Sequence, residues 1–213
     1  MRRIVAGLLC VLLVSTAGCA GIVSDSLTFE AGETLVDNQT AADAGYELES
    51  AETQVFNETA SAGGQEVQVV AESHMARYQK AGEGTNPAAF GVITTPSASV
   101  AGQNLNPLLR LNETQLLKRV AGRENVSFER QGEYAVSPFG ETTNVTVYRA
   151  KSEGEKPDAY VHIAQRSPPG TDDVVLAYAT YPVATDDSER AAVKQLFSGL
   201  EHTSNSNETA TPT

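Results

Sequence analysis

Three histidines, His74, His162 and His202, are the residues best suited to acid–base or metal chemistry, and none has another His, Cys or carboxylate at ligand spacing on its own element. His74 shares strand parity with Glu66, Gln68 and Glu72, which predicts a solvent-facing ring. His162 and Tyr160 alternate against Val161 and Ile163. With Tyr148, and with Tyr178 if parity allows, they are expected to form an aromatic patch on the sheet face away from the core. Ordinary cross-strand pairing is the plainer reading of the same residues. The chain has no Gly-x-Ser-x-Gly elbow, P-loop, dinucleotide fingerprint or His-Glu-x-x-His. Gly82-Glu83-Gly84 lacks both the downstream glycine and the following helix. The expectation is a protein without catalytic, cofactor or metal residues, with a surface patch of Tyr148, Tyr160 and His162 as its one speculative site.

The two cysteines, Cys10 and Cys19, lie in the first twenty residues and leave no pair to staple the body. Arg2-Arg3 precedes an apolar run from Ile4 to Val14, then Ser15-Thr16-Ala17-Gly18 and Cys19. The run is shorter than the ~20 residues a membrane-spanning helix needs, and an export signal fits it better. The Ala17-Gly18-Cys19 ending resembles the lipobox of lipoproteins, whose cysteine thiol carries the lipid; Thr16 stands where Leu is commoner. Residues 1–18 are read as a signal peptide and 19–26 as the lipidated cysteine and tether. The paired arginines are compatible with twin-arginine export. The expected location is the outer face of the cytoplasmic membrane, held by a lipid on Cys19.

Asn-x-Ser/Thr triplets begin at Asn38, Asn57, Asn112, Asn125, Asn144 and Asn207. About two would arise by chance at this Ser and Thr content, so the excess favours an exported glycoprotein. Asn57 is placed in a turn and Asn207 in the tail. Asn112 doubles as a helix cap and Asn125 precedes a strand.

The 27 acids outnumber 15 Lys plus Arg, for a formal charge of −12 and a pI near 4.6. Such a field repels phosphate backbones and argues against nucleic acid as a partner. Only five of the cations are lysine, and Trp is absent. At molar salt, where the Debye length shrinks to ~3 Å, an acidic, lysine-poor coat is tolerable and keeps a protein soluble.

Between tether and tail, helix and strand signals alternate. Leu27 to Glu30 predicts a strand and Glu33 to Ala44 a helix closed by Gly45. Strands follow at Tyr46 to Phe56, Gln65 to Tyr78 and Ala89 to Thr95, the first two flanking Ala62-Gly63-Gly64. Asn112 caps a helix reaching Gly122, with Gln115 completing the cap. Strands are then expected at Val126 to Val136, Thr142 to Ala150, Ala159 to Gln165 and Val174 to Tyr181. A last helix, capped by Asp186 with Glu189 at the third position, carries Val193, Leu196, Phe197 and Leu200 on one face. The order predicts one α+β domain over residues 27–202, a largely antiparallel sheet with about three helices packed on it and a hint of two βα-type half repeats. Residues 203–213, almost all Ser, Thr, Asn and Pro, are expected to be a disordered tail.

The segments Leu27-Thr28-Phe29-Glu30-Ala31, Ala44-Gly45-Tyr46-Glu47-Leu48, Val92-Ile93-Thr94-Thr95-Pro96, Ala101-Gly102-Gln103-Asn104-Leu105-Asn106-Pro107 and Tyr181-Pro182 before the last helix, together with the Ala-Gly-Cys ending, resemble a family of haloarchaeal lipoproteins that share a domain of unknown function. The resemblance covers about residues 27 to 202. It implies an envelope location and a salt-adapted host, with no assigned activity. At the level of fold alone, an antiparallel sheet ending in strand then helix looks like the PsbP-like accessory proteins of membrane complexes. The expected function is a non-enzymatic binding or accessory role at the cell surface, with an envelope protein as partner. The alternatives are an accessory subunit or small-ligand receptor of a membrane complex, or an extracytoplasmic enzyme.

Overall fold

A computed structural model of the chain describes residues 26–62, 64–80, 88–100, 102–106, 108–122, 125–152 and 158–204. The signal, Cys19, the tether, the tail beyond 204 and Asn207 lie outside the described residues. Strand β1 (Ser26–Glu30) is followed by β2 (Glu33–Val36), helix α1 (Asn38–Asp43), the long hairpin β3 (Tyr46–Ala62) and β4 (Gln65–Lys80), and β5 (Ala89–Thr95). A small ribbon of β6 (Ser99–Val100) and β7 (Gln103–Asn104) leads to α2 (Glu113–Ala121). Four strands come next, β8 (Val126–Val136), β9 (Thr143–Ser152), β10 (Ala159–Arg166) and β11 (Val174–Pro182), then α3 (Asp186–Ser198) and β12 (Leu200–Thr203).

Eight strands form one sheet in the order β1-β4-β5-β11-β10-β9-β8, with β3 on the other side of β4. Every pairing is antiparallel except β1 with β4. A strand has two edges. Since β3 occupies one edge of β4 throughout, β5 (opposite 74–79) and β1 (opposite 68–72) share the other end to end. The fold is α+β, as the alternation of helix and strand signals predicts.

The sheet is covered on both faces. On one, α3, α1 and the β2–β12 ribbon bury Phe90, Val92, Tyr181, Val193, Leu196 and Phe197. On the other, α2 and the segment before it cover Val161, Leu176, Tyr148 and Tyr178, while β6–β7 covers Val69 and Ala60. Strand β11 therefore reads Val-Val-Leu-Ala-Tyr-Ala-Thr, buried at nearly every position, because it has no solvent face. The two halves meet at the β5–β11 pair, and the helices that open them, α1 and α2, lie on different faces.

Helix α2 forms as its capping pattern requires. The Asn112 side chain accepts from the Gln115 amide, the Gln115 side chain accepts from the Asn112 amide, and Gly122 closes the helix at φ 59°. Two other element readings need correction. The stretch read as one helix from Glu33 splits, because Thr34 and Val36 pair inward as β2 against β12 while Asp37 caps a six-residue α1. The last helix begins at Asp186 after the cap position Thr185, and Leu200, read on its apolar face, belongs to β12.

Candidate functional site

Strand β10 directs Tyr160 and His162 toward α3, where they meet Tyr181 of β11 and Tyr134 of β8. Tyr134 reaches this face through a bulge. Phe128 faces α2, and the register shift between Arg130 and Gly132 turns Tyr134, also an even position, to the opposite face. The Tyr134 hydroxyl lies 2.9 Å from His162 Nδ1, and His162 Nε2 lies 2.8 Å from the Tyr181 oxygen. Tyr181 donates to Asp186 Oδ1 at 2.7 Å, and Arg190 grips the same carboxylate from one turn along α3. Arg190 also lies 5.7 Å from the Tyr160 ring centre, and the Lys194 ammonium 4.7 Å from that of Tyr134.

The charges fix the direction of every proton. Burial raises the Asp186 carboxyl, but the hydrogen bonds from Arg190 and Tyr181 outweigh it and hold its pKa below the ordinary value. Asp186 is therefore an ionised acceptor, so the Tyr181 O–H must point at it. The Tyr181 oxygen then accepts from His162 Nε2–H, and the bare Nδ1 accepts the Tyr134 O–H. This assigns a neutral Nε2–H tautomer. Burial, assisted by the nearby Arg190, pushes the imidazole down to about 4. Burial also pushes the Tyr134 and Tyr181 hydroxyls up. The result is a saturated polar chain under α3, with His162 fully buried.

The expected surface patch is thus not formed. His162 and Tyr160 stand on the α3 face, whereas Tyr148, opposite Val161, and Tyr178 point to the α2 face. Tyr148 is itself buried and donates to Glu113 of α2 at 2.5 Å, and burial raises its pKa to about 12. Both faces are covered because the chain supplies helices to each, a long-range outcome that strand parity does not reveal.

His202 belongs to a second buried cluster. Its Nδ1 lies 2.9 Å from Thr34 Oγ1, and its Nε2 stands 3.3 Å from Asp173 Oδ2 without hydrogen-bond geometry, while that carboxylate oxygen accepts from the Gly32 amide at 2.7 Å. Thr34 is 2% exposed, so the arrangement clamps the β2–β12 ribbon to the loop before β11 instead of presenting a nucleophile. A side chain at Gly32 would overlap the Thr203 carbonyl at 2.3 Å. His74 is half-buried, with Nδ1 3.2 Å from Thr53 Oγ1. Among the described residues no group of three His, Cys, Asp or Glu is placed to hold a metal.

An open site lies on the α2 face. Gln54 and Phe56 of β3, Ser73 and Met75 of β4, and Ile93 and Thr95 of β5 form its floor, and Leu108, Leu111 and Arg119 overhang it. The overhang is pinned by Asn106, whose Nδ2 donates to Thr95 Oγ1 at 2.7 Å and to the Pro96 carbonyl at 3.2 Å. The cleft is open at its mouth and its interior space is about 40 Å³. Ser73 is 2% exposed, and among the described residues its hydroxyl has no hydrogen-bond partner. None of these residues carries a sequence motif. They converge only when β3, β4 and β5 align, and the alternation of β4 with its neighbours is the one local signal that could have pointed to them.

The described sequon asparagines, Asn38, Asn57, Asn112, Asn125 and Asn144, are all exposed. Asn57 lies within β3 opposite Val70, not in a turn, because β3 keeps pairing as far as Ala62. Asn112 uses its carbonyl oxygen for the cap, which leaves its Nδ2 free of that bond. Among the described residues no helix is long and apolar enough to cross a membrane.

No curated protein matches the chain in sequence. Among solved structures, it is similar to the solution structure of cyanobacterial PsbP (CyanoP) from Synechocystis sp. PCC 6803, with 12% identity over 81% of this chain and 93% of that chain and a TM-score of 0.38. A model of the domain of unknown function DUF6517 matches residues 33–201, from the start of β2 into β12. That span takes in the sheet junction, both helical layers and the cleft, and the chain belongs to the DUF6517 family.

Proposed function

We propose that this protein is an exported, lipid-anchored and glycosylated surface domain of a halophilic archaeon that binds a partner or assists a complex in the envelope without performing chemistry itself. The observation that carries the reading is the exposure of all five described sequon asparagines, although three of them lie inside regular elements and Asn112 caps a helix. Attachment through Nδ2 there disturbs neither the core nor the Asn112 cap. The N-terminal run ending in Ala17-Gly18-Cys19 supplies the address and the anchor. The acidic, lysine-poor composition supports the salt-adapted host. A binding role is supported by the closure of the His162 chain and the Thr34–His202–Asp173 cluster, which leaves neither open to a substrate. The cleft on the α2 face favours a second reading, a receptor for a small ligand.

The test is the intact mass of the protein extracted from host membranes, beside a Cys19→Ser variant. The expected result is a chain beginning at Cys19 with lipid and hexose-sized additions, released from membranes in the variant. An unmodified chain retaining Met1 would remove the address and the envelope role with it. Crosslinking in intact cells then tests the partner: no specific product above a matched lipoprotein control counts against the binding reading.

A further inference from the structure

We propose that the α2-face cleft is a binding site for a small amphipathic carboxylate, whose apolar body lies on Met75 and Ile93 beneath Leu108 and Leu111 and whose anionic head meets both the Ser73 hydroxyl and Arg119. The inference deepens the receptor reading, and it is independent of the anchor and the glycans.

Two observations of different kinds converge. The first is the Ser73 hydroxyl on the cleft floor, 2% exposed and without a hydrogen-bond partner among the described residues. Its neighbour across the ladder, Gln54, lines the same cleft, and Thr95 on the adjoining strand is already engaged by Asn106. A buried hydroxyl left unpaired costs free energy, and a ligand oxygen seated on the floor relieves that cost. The second is the Arg119 guanidinium at the mouth, which makes no hydrogen bond or ion pair among the described residues. Glu58, on the same face of β3, is taken up by Arg110 at 2.9 and 3.0 Å. In a chain of charge −12, a guanidinium with no partner among the described residues, over an apolar slot, is a place where an anion is favoured.

The walls set the rest of the chemistry. Phe56, Met75, Ile93, Leu108 and Leu111 offer apolar surface, with a thioether that adapts to irregular shapes. The interior space of about 40 Å³ is well below the ~300–1,000 Å³ of full ligand pockets, so only a short acyl or aryl body enters, with the rest of the molecule in the open mouth, and a large cofactor does not fit.

The experiment titrates the full chain separately with octanoate, octanol and octylamine, following amide shifts by NMR. Octanoate should saturate, with the largest shifts at Ser73, Met75, Ile93 and Leu108. Arg119→Ala should weaken octanoate about tenfold, the scale of a lost charge-assisted hydrogen bond, and leave octanol unchanged. Ser73→Ala should weaken both by about fivefold. Arg119 is exposed, so its removal should leave the fold intact, and the unchanged octanol response serves as the control for it. The proposal is overturned if octylamine binds as well as octanoate, if the shifts fall outside the cleft, if Arg119→Ala has no effect, or if nothing saturates and the Ser73 hydroxyl is served by water. Any of these leaves the anchored, glycosylated reading standing.

Discussion

His162 Nε2 lies 2.8 Å from the Tyr181 oxygen, and that hydroxyl turns its own proton 2.7 Å away to Asp186. One hydroxyl thus serves two partners, and it couples a neutral ring on β10 to the charged first turn of α3. The sheet and the helix that covers it are joined by a polar seam through an otherwise apolar interface.

That seam has a pH dependence of definite sign. His162 is held at about 4 in the folded chain against an ordinary 6.5, so the unfolded chain binds more protons between those values. Its contribution is fully present above pH 6.5 and is lost as pH falls toward 4, by about 3 kcal/mol in all. Denaturant unfolding at pH 7 and pH 4.5 should show the loss, and His162→Gln should flatten the slope over this interval. Equal slopes in the two proteins would mean that His162 does not titrate as described.

Removing the hydroxyl of Tyr181 should cost more than removing that of Tyr134. Tyr181→Phe leaves the Nε2–H without an acceptor and takes a donor from Asp186, about 2–3 kcal/mol, whereas Tyr134→Phe strips only Nδ1 of its donor, about 1 kcal/mol. Urea unfolding of both variants at pH 7 gives the order, and the reverse order would contradict the proton directions assigned.

Glu189 is fully buried between the Lys80 ammonium and the Tyr46 hydroxyl, the latter 2.7 Å away. Lys80→Ala strands that carboxylate without a cation and should destabilise by about 3 kcal/mol. Glu189→Gln, which keeps an acceptor for Tyr46, should cost less. Comparing the unfolding midpoints of the two variants distinguishes an ion pair that matters from one that is merely present.

Gly91 has no side chain because the Tyr178 ring occupies the space: a Cβ there would stand 2.3 Å from the ring carbon Cζ. Gly91→Ala should cost about 2–3 kcal/mol by overpacking. Tyr178→Ala should be destabilising alone, yet the double variant should lose less than the sum of the two. Additive losses would show that Gly91 is required for another reason.

Strands whose alternation and turns are local were legible, in the centre of the sheet and at its edge alike: Ala89–Thr95 and Val126–Val136 have the expected ends. The Asn112 cap was legible for the same reason. What escaped depends on distant partners. Thr34 and Val36 are strand residues because Leu200 and His202 lie beside them, and nothing near Glu33 announces that. Asn57 sits in a strand although Asn-Glu-Thr-Ala-Ser has little strand preference, since the β4 backbone dictates the pairing. The parity argument put Tyr160 and His162 on one face correctly, but it could not see that α3 would close over that face. Of the cleft almost nothing could be read, because its floor comes from three strands and its roof from the segment after β7.

The parallel pairing of β1 with β4 sets Ser26 beside Gln68, close to the tip of the long hairpin. Cys19 precedes Ser26 by seven residues, no more than about 25 Å of extended chain. A lipid on Cys19 would therefore stand the domain on this tip, like a post on its foot, with Asn57 and any sugar it bears near ground level. Ser73 lies five residues beyond Gln68, about 17 Å along the strand. The mouth of the cleft would then open low on the post, within a short climb of the bilayer surface, where an amphipathic molecule leaving the membrane would first meet the protein.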